Sequence, residues 1–161
     1  MKEVPLSPSI HGQMSAWVDD EEIGRIGEHC WSVHKCGKTF YAVSRIDGEL
    51  IDMHVFLFGK GNDHKNRNGL DNRRVNLRPA NRSQNGANRG LLSSNASGYK
   101  GVSWFKGTNK WRTQIVVQGK RISLGLHDNV LDAARAYNKA ALRYFGEFAC
   151  LNVIASSGGA A

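Results

Sequence analysis

The stretch GYKGVSWFKGTNKWRTQIVVQGKRISLGL, residues 98–126, holds three runs rich in β-branched and aromatic residues, 99–105, 110–118 and 120–126. They are separated by Lys106-Gly107-Thr108-Asn109 and by a tight turn at Gln118-Gly119. Runs of this kind bounded by Gly and Asn predict three successive antiparallel strands. Within 110–117, alternation sets Trp111, Thr113, Ile115 and Val117 on one face and Arg112, Gln114 and Val116 on the other. Beyond them Val130, Ala133, Tyr137, Ala140, Ala141 and Tyr144 recur at helical spacing, with Asp128 or Asn129 as cap and Gly146 as stop. The predicted unit is βββα, its Ala-rich helix face close against Trp111, Ile115, Ile122 and Leu124.

Residues 93–97 are small, polar and without hydrophobic pattern, and are expected to be a linker. Residues 59–97 contain nine Asn and five Gly with little apolar material, so extended loop dominates there, with a short helix expected at about 81–88. Upstream, runs at 31–33, 40–43 and 50–58 separated by Cys36-Gly37-Lys38 and Asp47-Gly48 predict two hairpins. Residues 1–16 are polar with two prolines and read as an arm, and 153–161 read as a flexible tail. The expected organisation is α+β in two domains, 17–92 and 98–152.

The chain has 161 residues, and its 22 Lys plus Arg against 14 Asp plus Glu give a net charge of +8. The charge is concentrated: residues 60–121 hold 14 basic residues and only Asp63 and Asp71, a local +12 against −4 elsewhere. That is the footprint of a polyanion partner, nucleic acid being the commonest. No basic amphipathic helix, long apolar run or secretory signal is present, so no membrane partner is expected. Three cysteines are too few for a disulfide framework and agree with a reducing, cytoplasmic setting. His29, Cys30, His34 and Cys36 lie too close together in one strand to wrap a tetrahedral zinc, so no structural zinc is expected, and Cys30 and Cys36 read as core or hairpin residues.

The chemistry-bearing run is 63–78, DHKNRNGLDNRRVNLR, followed by Ser83-Gln84-Asn85. A carboxylate beside an imidazole in a cationic, Gly- and Asn-rich loop supplies a hard oxygen ligand and a base, a pairing suited to phosphodiester hydrolysis. Asp63-His64, the segment 70–78 and Gln84-Asn85 resemble the HNH homing endonucleases of phages and bacteria over roughly residues 15–90. The resemblance implies a ββα-metal finger with Asp63 and Asn85 as metal ligands and His64 as general base. Asn76 would hold the loop and orient that His, or serve only to cap backbone groups. One Mg²⁺ or Mn²⁺ is the implied cofactor, and Arg73, Arg74 and Arg78 read as phosphate contacts.

The second half resembles the APETALA-two or ethylene-response-factor type DNA-binding domain over residues 98–152. The resemblance rests on Gly98-Tyr99-Lys100-Gly101-Val102, Lys110-Trp111, 121–125, 132–137 and Leu151-Asn152. It implies a three-stranded sheet laid in the major groove, with Lys100, Lys110, Arg112, Gln114, Arg121 and Ser123 at DNA. Gln114 suits adenine, and Arg121 a guanine or a phosphate. The plant proteins of that type place Glu, Arg and Trp where this chain has Gln114, Val116 and Ser123, so their target does not transfer. The combined expectation is a site-specific, double-stranded-DNA endonuclease of homing type in a bacterial or phage-infected cell, with no obligate protein partner. The alternative is a DNA-binding regulator whose HNH-like head is not catalytic.

Overall fold

The first strand, β1 (Lys2–Pro5), pairs antiparallel with β2 (Ser15–Val18), Lys2 opposite Val18. The computed structural model describes residues 1–154 and has a mixed α+β architecture that divides between Arg82 and Ser83 into two compact units. The tail expected at 153–161 lies, from residue 155 on, outside the described residues.

In the first unit the arm expected at 1–16 is instead part of the core. Val4 and Leu6, and Met14, Ala16 and Val18, are each spaced by two, so they share a face when extended. Leu6, Ala16 and Val18 are buried with Ile26, Trp31, Ala42, Met53 and Leu57. A short helix α1 (Ile23–Ile26) leads to a meander of β3 (Ser32–Cys36), β4 (Thr39–Ile46) and β5 (Glu49–Asp52). Asp47 and Gly48, both at positive φ, form the tight turn between β4 and β5. The strand expected over 50–58 ends at Asp52, and Met53–Phe58 forms α2. Met53 and Leu57, four apart, are its buried residues, a helical spacing that the surrounding apolar run obscures. Cys30 and Cys36 are exposed rather than core, Cys36 ending β3 at the hairpin. β6 (Asn62–His64) then pairs antiparallel with β7 (Leu77–Pro79), and α3 (Arg82–Asn88) follows in the chain.

In the second unit β8 (Val102–Phe105), β9 (Lys110–Val117) and β10 (Lys120–His127) form one antiparallel sheet with β9 central. α4 (Val130–Phe145) packs across it, with Asn129 Oδ1 accepting from the Leu131 N–H at 2.7 Å. Ala133, Ala134, Ala140 and Ala141 line the helix face, so the backbone approaches the sheet closely enough for Thr113 Oγ1 to donate to the Ala133 carbonyl at 3.2 Å. The tightest approach is at Gly101 (φ +77), where a Cβ would lie 2.1 Å from the Tyr137 ring. The stretch expected as a linker is tied to this sheet: Asn95 Nδ2 donates to the Tyr99 carbonyl and Ser97 Oγ to that of Val102.

Candidate functional site

The loop between β6 and β7 is built on polar side chains that the fold buries. Asp63, His64, Asp71, Asn72, Asn76 and Arg78 are all buried, Arg78 the most exposed of them at 8%. The pairing of β6 with β7 sets Asp63 opposite Arg78, whose Nη2 lies 3.1 Å and Nε 3.3 Å from Asp63 Oδ2. Asn76 closes the loop from below: its Oδ1 accepts from the Asn66 N–H at 3.0 Å and its Nδ2 donates to the Asp71 carbonyl at 2.7 Å. β2 pins the far side, the Asn72 N–H donating to the Trp17 carbonyl and the Trp17 N–H to that of Leu70. At Gly69 a Cβ would meet the Phe40 carbonyl and the Tyr41 ring at 2.5 Å, so only glycine lets the loop lie on β4.

The side chain that meets His64 is Asn72, its Oδ1 3.2 Å from Nε2. Asn72 Nδ2 is turned toward Met53 Sδ and the Leu70 carbonyl, so Nε2 carries the imidazole hydrogen and Nδ1 the lone pair. Burial pushes the His64 pKa below the ordinary value, while Asn72 and the carboxylates of Asp63, Asp71 and Asp52 pull it back up. The ring of His54 packs edge-on against His64 at 4.7 Å, and burial, followed by the neighbouring His64, lowers its pKa to about 4. Burial raises Asp52. Asp71 is held low first by its hydrogen bonds from Arg73, at 2.6 and 2.7 Å. The network is therefore a neutral imidazole pair set among carboxylates, of which Asp63 is paired with Arg78 and Asp71 with Arg73.

The three arginines expected at phosphate all have partners within the unit: Arg78 with buried Asp63, Arg73 with Asp71, and Arg74 with Glu22 at 3.3 Å and over the Phe58 ring. Asn85 lies on α3 and belongs to the second unit, whereas Asp63, His64 and Asn76 belong to the first. Among the described residues no three His, Cys, Asp or Glu side chains converge as a metal-binding group. Asn72 and His54 were not among the expected site residues. The spacing of eight from His64 to Asn72 has no secondary-structure periodicity that would mark the pair.

On the sheet of the second unit, Thr113 and Ile115 are buried toward α4 while Arg112, Gln114 and Val116 point away from it. The register pairs Val116 with Arg121, Gln114 with Ser123 and, after a bulge, Arg112 with Leu126. Arg112 stacks over the Phe105 ring at 5.3 Å, and among the described residues its buried Nε has no hydrogen-bond partner. Arg121 and Ser123 are exposed. Lys110 reaches Asp128 at 3.1 Å, and Lys100 donates its ammonium to the Ala87 and Arg89 carbonyls. The strands carry Lys110, Arg112, Lys120 and Arg121 and no acid, whereas Asp128, Asp132 and Glu147 lie in or beside the helical segments. Strict alternation from Ser123 would have turned Leu126 inward; the bulge at Gly125 (φ +106) turns it outward.

Residues 97–147 match the AP2 domain, and this span contains β8–β10 and α4. The AP2-like ethylene-responsive transcription factor TOE2 of Arabidopsis thaliana is 38% identical over 61 residues, covering 38% of this chain and 13% of the plant protein. APETALA2-like protein 2 of Oryza sativa subsp. japonica is 39% identical over 59 residues, covering 37% of this chain and 14% of its own length. The likeness to these plant proteins is thus confined to a small part of each. Protein 3.8 of Escherichia phage T7 is 32% identical over 119 residues, 73% of this chain and 98% of the phage protein. No solved structure matches the chain significantly. No helix among the described residues is long and apolar enough to cross a membrane. With an AP2 domain at residues 97–147 and a match that runs through nearly the whole of the phage protein, the chain belongs to the family of Protein 3.8 of phage T7.

Proposed function

We propose that this chain binds double-stranded DNA, with the outer face of β8–β10 as the reader, and acts as a DNA-binding regulator. The observation that carries the reading is the AP2 match over a sheet with four basic residues and no acid in its strands. A sheet of this width enters the major groove, where Arg pairs with guanine or phosphate and Gln with adenine. The name of the Arabidopsis thaliana relative, a transcription factor, supports regulation. Fluorescence anisotropy with labelled duplex, single strand and duplex RNA tests it. Duplex DNA is expected to bind tightest, with an affinity that falls steeply with salt. Equal or better binding of RNA overturns it.

A second reading, phosphodiester hydrolysis by the first unit, is favoured by the Asp63–His64 arrangement. The Asp63 carboxylate is a hard oxygen donor of the kind magnesium or manganese takes, and it is paired with Arg78. Such an ion, when bound, supplies charge neutralisation at the scissile phosphate and leaving oxygen. In this reading Asn72 fixes the His64 tautomer and burial keeps the ring neutral, so that Nδ1 accepts the proton of the attacking water. Arg73 and Arg74, both more exposed than Arg78, would meet the backbone phosphates. Incubation of supercoiled DNA with Mg²⁺ or Mn²⁺, beside EDTA and His64→Ala controls, decides between the readings. Nicking lost in both controls establishes hydrolysis; salt-sensitive binding without nicking leaves the regulator.

A further inference from the structure

The outer face of the sheet carries apolar side chains where a purely electrostatic or hydrogen-bonding reader would have none. Val116 is 53% exposed, Leu126 44% and Phe105 38%, all on the face opposite α4. Single exposed apolar residues are ordinary. These three share one face with Arg112, Gln114, Arg121 and Ser123, and one of them is there only because of a bulge. Three residues of β10 from Ser123 to Leu126 advance against two of β9, from Gln114 to Arg112, through Gly125 at a φ that other residues rarely adopt. Without that extra residue Leu126 would face the helix.

An apolar side chain pressed against a base edge gains only where the edge is apolar, because facing a donor or acceptor it strips water and returns no hydrogen bond. In the major groove that apolar element is the methyl group on C5 of thymine. We infer that Val116 and Leu126 read C5-methylated pyrimidines, thymine or 5-methylcytosine, on either side of the base pair facing Gln114. The inference rests on the DNA-binding reading above and adds to it a sequence preference. Val116 lies two residues after and Leu126, through its partner Arg112, two residues before Gln114 along the same face. A two-residue step along a strand is about 6.8 Å, roughly two base-pair rises. The preferred site is therefore a central adenine-containing pair with methylated pyrimidines about two steps away on each side.

The test uses the full chain. Duplexes are selected from a randomised pool, and each thymine of the selected site is replaced in turn by deoxyuridine, which pairs identically but lacks the methyl. Replacement at one or two positions is expected to weaken binding by about three- to tenfold. Val116→Ala is expected to weaken binding to the selected site by the same three- to tenfold and to abolish the sensitivity to deoxyuridine at one position, and Leu126→Ala to do so at the other. Placing 5-methylcytosine for cytosine in a parallel set separates the two sources: a gain there, with no response to deoxyuridine, assigns the contact to methylcytosine. Tight duplex binding that is indifferent to both replacements overturns the inference and leaves the DNA-binding reading intact. Failure to bind any duplex overturns the reading itself, and the inference with it. Circular dichroism of both variants guards against loss of folding, which their exposed positions make small.

Discussion

The β6–β7 loop and the β8–β10 sheet solve opposite problems. The loop buries its chemistry: six buried polar side chains are held by one another and by backbone groups. The sheet buries apolar residues and Thr113 against an Ala-lined helix and leaves its charged side chains on the other face. A buried polar network is intolerant, because losing one partner strands the others without water. An exposed face on an apolar core can change residue by residue at little cost to folding. Geometry is thus fixed in the first unit, and specificity is adjustable in the second.

The harshest test of the second unit is its closest backbone approach. Gly101→Ala would bring a Cβ to 2.1 Å from the Tyr137 ring and 2.7 Å from the Gln114 carbonyl, at a φ of +77. We expect a loss of about 4 kcal/mol or more, as strain and overpacking combine. Hydrogen exchange read separately in the two units should show lost protection in β8, β9 and α4 and unchanged protection in β6 and β7. Equal loss in both would break the contrast between them.

Next in size is Asn76→Ala. It leaves the part-buried Asn66 N–H and the buried Asp71 carbonyl without their partner, at about 3 kcal/mol for the pair. The loss should appear in the first unit, and duplex binding by the sheet should persist. A loss below about 1 kcal/mol would mean that the loop is wetter than its burial implies.

The imidazole pair gives a smaller, pH-dependent effect. His54 falls from 6.5 to about 4 on folding, so the unfolded chain binds its proton more readily. Stability from this group is fully present above pH 6.5 and is lost as pH falls toward 4. His64, also lowered by burial, acts in the same sense, against the pull of Asp63, Asp71 and Asp52. For His54, partly reached by solvent, the loss is about 2 kcal/mol. Denaturant midpoints of the first unit at pH 7.5 and 4.5 should converge in His54→Gln relative to wild type. An unchanged gap would assign the acid sensitivity elsewhere.

The same contrast explains what could be read from the residues alone. The second unit was legible because apolar periodicity dictates its elements: the alternation through Trp111, Thr113, Ile115 and Val117 and the helical recurrence through Ala133, Tyr137 and Ala141 reappear as β9 and α4. Its one hidden feature is the bulge at Gly125, since one added residue reverses the phase of everything after it. The first unit was legible as a motif but less so as packing. Asp63, His64 and Asn76 stood out by residue type, yet the contacts of Asp63 with Arg78 and of His64 with Asn72 depend on which strands pair. β1 was hidden because its few apolar residues find their partners only across β2 and the core. α2 was hidden because six apolar-rich residues fit either period.

The smallest expected effect concerns the rim of the reader. Lys110 Nζ is 3.1 Å from Asp128, with side chains 42% and 85% exposed. An ion pair so open to water contributes less than about 0.5 kcal/mol. Asp128→Asn should leave the unfolding midpoint of the second unit within error of wild type. It also releases Lys110, at the edge of the outer face, to meet a phosphate. The slope of log K against log salt should then steepen by up to about 1, with the preferred sequence unchanged, because a phosphate contact carries no base information. A shift in preferred sequence would instead make Lys110 a base reader held in place by Asp128. A fall in stability above about 1 kcal/mol would give the rim of the sheet the intolerance seen in the β6–β7 loop, and the division between a fixed first unit and an adjustable second one would fail.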